Sequence, residues 1–172
     1  MANTLSDDLD NPFWQFSLKI YQHEKVKEAC LSFQNQEGIN VNLLLLCCWL
    51  AYGVEEISQF EFHQACSRIT AWQQQVTHPL RQIRQYLKTT QEAHWVKNFY
   101  QHVLVDEISS EAYQQFILYN CFANKQKNKC SMSVPSMLSY LGWLFENTKN
   151  ISNNNLKLKI HTFAHLIEDI VE

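Results

Sequence analysis

Arg68, Arg81 and Arg84 fall within one long helical pattern, and Glu107 and Glu111 fall within the next. Carboxylates four residues apart share a helix face, where they can hold a metal or share a proton. A guanidinium pair can equally clamp a phosphate or carboxylate ligand. The competing reading is an interhelical ion-pair network that fixes how two helices pack, in which loss of one partner is heavily penalised. If two straight arms turn near Thr89, Arg68 lies opposite Glu111 and Trp72 opposite Glu107. That register requires the first arm to stay straight through Pro79.

The remaining constellations are thinner. His161, His165, Glu168 and Glu172 recur at helical spacing near the end of the chain and can aim two imidazoles at one metal. No His-Glu-x-x-His pattern and no distant third ligand accompany them, so a polar helix edge is expected and a metal is not. Asp7, Asp8 and Asp10 precede the first helix and face no second acidic motif, which makes them an acidic, frayed start rather than a magnesium site. Lys125, Lys127 and Lys129, with Lys149, Lys157 and Lys159, make residues 120 to 160 locally positive. Gln, Asn and Ser intervene where nucleic-acid binding wants Arg or aromatics, so a solvated loop is expected and nucleic acid is not an expected partner. Cys47 and Cys48 are adjacent but point apart on a helix. The six cysteines lie in or beside apolar stretches without a Cys-x-x-Cys pair, which predicts reduced, buried thiols. Nucleophile-elbow, P-loop and dinucleotide signatures are absent, and no cofactor is expected.

The elements that must position these residues are helices. Three glycines and three prolines in 172 residues leave few sites for hairpin turns, and the length suits one domain with one core. Asn11 and Pro12 read as a cap and a first helical position, followed by Phe13, Trp14, Ser17, Ile20 and Tyr21. Phe16 and Leu18 widen that helix's apolar surface, so the helix is expected to insert between others, the alternative being that it presents part of itself to a partner. A second helix, from about Lys25 to Glu37, stops at Gly38. Asn40 or Asn42 caps a third, Leu43 to Tyr52, apolar on every side and therefore central. Ten residues cover only about half of a bilayer, so no membrane role is read from it. Ser58 to Lys88 and Thr90 to Asn120 form a long antiparallel hairpin, its first arm interrupted near Gln75 because Pro79 supplies no N–H there. Residues 123–133 and 147–155 read as loops, Pro135 opens a short helix, and Leu156 to Val171 is a final amphipathic one. The expectation is an all-α single domain over residues 1–172, with 1–10 frayed. It is a bundle of about seven helices around a buried central rod.

Three stretches carry a resemblance. Asn11 to Leu18, Gly38 to Leu45 with Trp49 and Leu50, and Trp72 followed by Pro79, Leu80, Arg81, Arg84, Leu87 and Lys88 resemble a proteobacterial family of short helical proteins, domain of unknown function 2390. The likeness extends to Glu107 through Glu111 and fades after about residue 120. Asn40 stands where the family pattern tends to be acidic, and Glu24-Lys25 where it tends to break at proline and glycine. The resemblance implies a helical fold and a bacterial origin, and brings no activity, cofactor or catalytic residue with it.

Function is left between two classes. A net charge of −3 gives no field to collect polyanions, and the opening residues show no export signal, so a cytoplasmic location is expected. The leading reading is a non-enzymatic protein-interaction or regulatory module presenting Phe13, Trp14, Phe16 and Tyr21 to a protein partner. The alternative is a small-ligand binder or enzyme that uses the Arg/Glu seam. Oligomeric state is not readable.

Overall fold

The computed structural model describes residues 9–90, 94–146 and 154–171. Asp7, Asp8, the hairpin turn, Lys149, Glu172 and most of the 147–155 loop lie outside them. Eight α-helices are present among the described residues: α1 (Pro12–Tyr21), α2 (Glu24–Glu37), α3 (Val41–Gly53), α4 (Gln59–Trp72), α5 (His78–Thr89), α6 (His94–Phe122), α7 (Val134–Phe145) and α8 (Asn154–Val171). A π-helical segment, Gln73–Thr77, joins α4 to α5 into one rod, which leaves seven rods in all. The all-α, single-domain expectation is met.

Local chemistry sets the ends. Asn11 Oδ1 accepts the Trp14 N–H at 3.0 Å, and Pro12 occupies the first turn of α1, where its missing N–H costs nothing. Gly38 closes α2 at φ +70°, a left-handed conformation costly to any side chain bearing a Cβ. Asn40, rather than Asn42, caps α3, its Oδ1 accepting the Asn42 N–H at 2.8 Å. Ser58 and Glu61 form a reciprocal capping box on α4.

Leu44 through Ala51 of α3 are buried all round, enclosed by α1, α2, α6 and α7. Fully burying each such large side chain contributes roughly 1.5–3 kcal/mol, so α3 organises the core. Phe13 stacks on Trp49 with ring centroids 5.1 Å apart, and Phe16 on Tyr52 at 5.3 Å. The expected interaction face is therefore corrected: Phe13, Trp14 and Phe16 are buried, and Tyr21 is half-buried. An all-apolar α3 has rings to satisfy on the α1 side too, and α1 supplies them. Phe60, Ile83, Tyr86, Trp95 (68% exposed) and Phe99 are exposed on the hairpin, and Leu18 on α1, Leu31 on α2 and Leu158 on α8 are exposed as well. Inside the hairpin Leu87, Val96 and Val103 form a small separate core.

The 123–133 segment has no buried residue and is tied to the core at its start. It opens with a 3₁₀ turn, Ala123–Lys125, and Gln126 pairs in an isolated antiparallel bridge with Val54. Glu55 N–H donates to the Lys125 carbonyl at 2.8 Å, and Lys127 N–H to the Gly53 carbonyl at 2.9 Å. Lys127 Nζ donates to the Ala51 carbonyl at 3.4 Å, in the carbonyl-rich last turn of α3 where a cation is favoured. Lys125 pairs with Glu61. The segment is a clasp on the end of the central helix. Among the described residues no helix is long and apolar enough to cross a membrane.

Candidate functional site

Pro79 shapes the arm that carries the arginines. Its absent N–H leaves the Gln75 carbonyl without its usual donor, and the chain widens there so that His78 N–H reaches back five residues to the Gln73 carbonyl. The interruption expected near Gln75 thus takes the form of a π turn. Everything after it is rotated relative to a straight arm. Trp72 consequently donates its indole N–H to the Ser110 carbonyl at 3.2 Å, not to Glu107, and Thr77 Oγ1 bonds Ser110 Oγ.

The seam closes on two arginines, not three. Arg81 donates through Nε to Glu107 Oε1 at 2.9 Å and through Nη2 to Glu111 Oε1 at 2.6 Å. Arg84 grips the other side of Glu107, through Nε to Oε2 and through Nη2 to Oε1 at 3.3 Å. Glu107 is only 4% exposed, with both oxygens engaged. Arg68 is exposed and takes no part, its nearest resolved electrostatic effect falling on Cys121. Glu107's hydrogen bonds push the Arg84 pKa above its usual value against the effect of burial. Burial raises the Glu111 pKa despite Arg81, and Glu111's second oxygen has no hydrogen-bond partner among the described residues.

Beside the seam opens a cleft of about 560 Å³ between α1, α2, α3, α5 and α6. That volume lies within the usual range for small-molecule sites. Trp14, Leu18, Leu31, Leu45, Leu104 and Ile108 supply its apolar walls, and Arg81, Arg84, Glu107, Glu111 and Tyr21 its charged and phenolic groups. Burial, ahead of the neighbouring charges, lifts Tyr21 to about 12, so the phenol stays protonated.

Two further lining atoms stand out. Ser17 Oγ (residue 3% exposed) and Gln115 Oε1 (2% exposed) are buried and make no hydrogen bond. Native interiors leave few such atoms. The identity of the Gln115 atom follows from a chain of amides whose polarity is anchored at the backbone. Asn40 Oδ1 accepts the Asn42 backbone N–H, so Asn40 Nδ2 must be the atom that reaches Gln114 Oε1 at 3.0 Å. Gln114 Nε2 then donates to Gln73 Oε1 at 2.8 Å and Thr77 Oγ1 at 2.6 Å. Gln114 Oε1 also accepts Asn42 Nδ2 at 3.4 Å, which turns Asn42 Oδ1 towards Gln115 Nε2 at 2.8 Å. Reversing any one amide puts two acceptors or two donors in contact. The unpaired Gln115 atom is thereby an oxygen.

Sequence reasoning found the seam and missed this amide chain. The signal was present: Glu107, Ser110 and Gln114 fall on one stripe of α6, and Ile108, Glu111 and Gln115 on the adjacent one. The apolar pattern read along α6, through Trp95 and Phe99, obscured both stripes. The terminal histidines gather nothing further. His161 is exposed, and His165 pairs with Glu168 at 3.0 Å on the surface. No group of three or more metal-binding side chains occurs among the described residues.

Fold and site together define an all-helical domain whose polar interhelical cleft is framed by a closed Arg/Glu seam. Residues 12–118 match the model of a family described as "Protein of unknown function (DUF2390)". The chain belongs to that family, and every residue lining the cleft lies within the matched segment. No curated protein and no solved structure matches the chain.

Proposed function

We propose that this protein binds a small organic molecule in the cleft beside the Arg81–Glu107–Arg84 seam. The observation that carries this reading is a cleft of about 560 Å³ with apolar walls that also holds Glu111, a carboxylate with one oxygen held by Arg81 and the other without a hydrogen bond among the described residues. An unpaired polar atom costs stability and is tolerated where a ligand supplies the missing partner. The protein-interaction reading loses its basis in the α1 rings, which pack on α3. A catalytic role finds no support in the seam, because the charges of Arg84 and Glu107 are spent on each other.

The test is a saturation-transfer NMR screen of a metabolite library against the native chain and a Leu104→Trp variant, whose indole narrows the cleft. Compounds that receive magnetisation from the native chain and lose it in the variant support the proposal. A screen with no hits, or hits indifferent to the plug, refutes it.

A further inference from the structure

The outer half of the hairpin stands apart from the main core. There α5 packs principally on α6, and Leu87, Val96 and Val103 are buried between them with Leu80 and Tyr100 half-buried alongside. Each helix presents three sides. Leu80 and Leu87 of α5, with Val96 and Val103 of α6, face the neighbouring helix. Arg81 and Arg84, with Leu104 and Ile108, turn to the cleft, and helical spacing puts Lys88 and Lys97 on those same stripes. Ile83 and Tyr86, with Trp95 and Phe99, fall on the third side, away from the cleft. The antiparallel run of the two helices sets Phe99 level with the span between Ile83 and Tyr86, and Trp95 level with the end of α5, so the four make one patch.

The apolar positions 80, 83 and 87 on α5, and 96, 99 and 103 on α6, step by three and four residues, the spacing of helices in four-helix bundles. One neighbouring helix leaves Ile83 44% and Phe99 47% exposed, so each stripe is wider than a pair of helices can bury. Two more helices laid on this face complete a bundle. We propose that they come from a second copy of this chain, the same face of two hairpins joining in a weak two-fold dimer.

A two-fold pairing needs a face that tolerates its own likeness. The patch is uncharged, Gln82 and Asn98 flank it, and the hairpin's lysines lie on the cleft side. His102 and Asp106 continue the stripe further along α6, beyond the patch. Like charges are thus kept from the centre of the contact, and a strongly charged partner finds nothing there to hold. Tyr86 is 69% exposed, and at about 150–250 Å² per aromatic side chain the patch offers about 300–500 Å² per copy. Two copies bury about 600–1,000 Å² before flanking residues count, the size of a transient dimer rather than a permanent one.

Sedimentation velocity of the native chain from about 2 to 200 µM tests the proposal, with a dimer expected to form at a Kd on the order of 10 µM. Tyr86→Glu and Trp95→Glu each set a charge against its own copy and are expected to raise that Kd about tenfold or more. Phe60→Glu charges an exposed ring near the start of α4, far from the patch, and is expected to leave it within about twofold. Circular dichroism confirms that the variants stay folded. In a mixture of carbon-13-labelled and unlabelled chains, isotope-filtered NOEs from Ile83 methyl groups to the rings of Phe99 or Trp95 are expected between copies. A chain that stays monomeric throughout overturns the proposal, and flotation of that monomer on phosphatidylglycerol vesicles, lost in Trp95→Glu, assigns the face to a membrane surface instead. A dimer indifferent to both charged variants overturns it too.

Discussion

Replacing Ser17 by alanine should make the protein more stable, the reverse of what core substitutions usually do. Ser17 lies in the middle of α1 at 3% exposure, and its hydroxyl meets neither protein donor nor acceptor. A buried hydroxyl without a partner forfeits its hydrogen bonds to water at a cost of about 1–3 kcal/mol, and alanine removes that cost. Alanine is also the better helix former, by up to about 0.7 kcal/mol. The lost oxygen borders an existing cleft, so its removal encloses no new cavity. The expected gain is about 1–2 kcal/mol, which for a chain of this size raises Tm by about 2–8 °C. Urea unfolding followed by far-ultraviolet circular dichroism, with an unchanged slope, measures it directly. A loss of more than about 0.5 kcal/mol in Ser17→Ala would refute the reasoning, because it would mean that the hydroxyl is bonded in the free protein.

Other consequences are equally open to measurement. Glu107→Ala leaves two largely buried guanidinium groups with only Glu111 to meet them, and should cost about 3–5 kcal/mol in urea unfolding, most of it lost again on deleting Arg84 as well. Lys125, then the backbone and hydroxyl of Ser58, lower the Glu61 carboxyl to about 2. The capping box is therefore intact above the ordinary carboxylate pKa and is lost as pH falls from about 4.5 towards 2. Carbon-detected titration should find Glu61 near that midpoint, and Lys125→Gln should move it up. Cys130 is exposed, whereas Cys47 and Cys48 are buried with thiol pKa values pushed well up by desolvation. A disulfide reagent should modify Cys130 promptly and reach the adjacent pair only on unfolding, a difference that mass mapping of labelled peptides reads residue by residue.

Local signals proved readable where one residue decides the outcome. Gly38 stops α2 because only glycine takes φ +70° cheaply, and Pro79 marks the interruption in the hairpin because it lacks an N–H. The centrality of α3 followed from its having no polar face. Expectations failed where the outcome depends on rotation accumulated along a helix. Glu111 meets Arg81 instead of Arg68, thirteen residues further along the arm, so a register counted from a turn at Thr89 does not describe how these helices cross. The width of α1's apolar surface pointed to insertion and left a partner face as the alternative, and only the stacking of Phe13 on Trp49 and Phe16 on Tyr52 decides between them. Cys130 was expected buried and stands exposed, since the clasp that carries it lies over the end of α3. The orphaned Gln115 oxygen was out of reach for a similar reason, because its identity passes through three other side chains, Asn40, Gln114 and Asn42, on two parts of the chain.

The all-round burial of α3 also bears on where this protein can be cut. The stretch shared with its family ends at Leu118, inside α6, while α7, with Met137, Tyr140, Leu141 and Phe145, belongs to the same core as the central helix. Expressing residues 12–118 alone would strip one flank from a helix that has no face fit for water. The fragment would keep every residue of the cleft and lack the means to hold it, so kinship and autonomy have different borders in this chain, and deletion libraries should place their ends by the second.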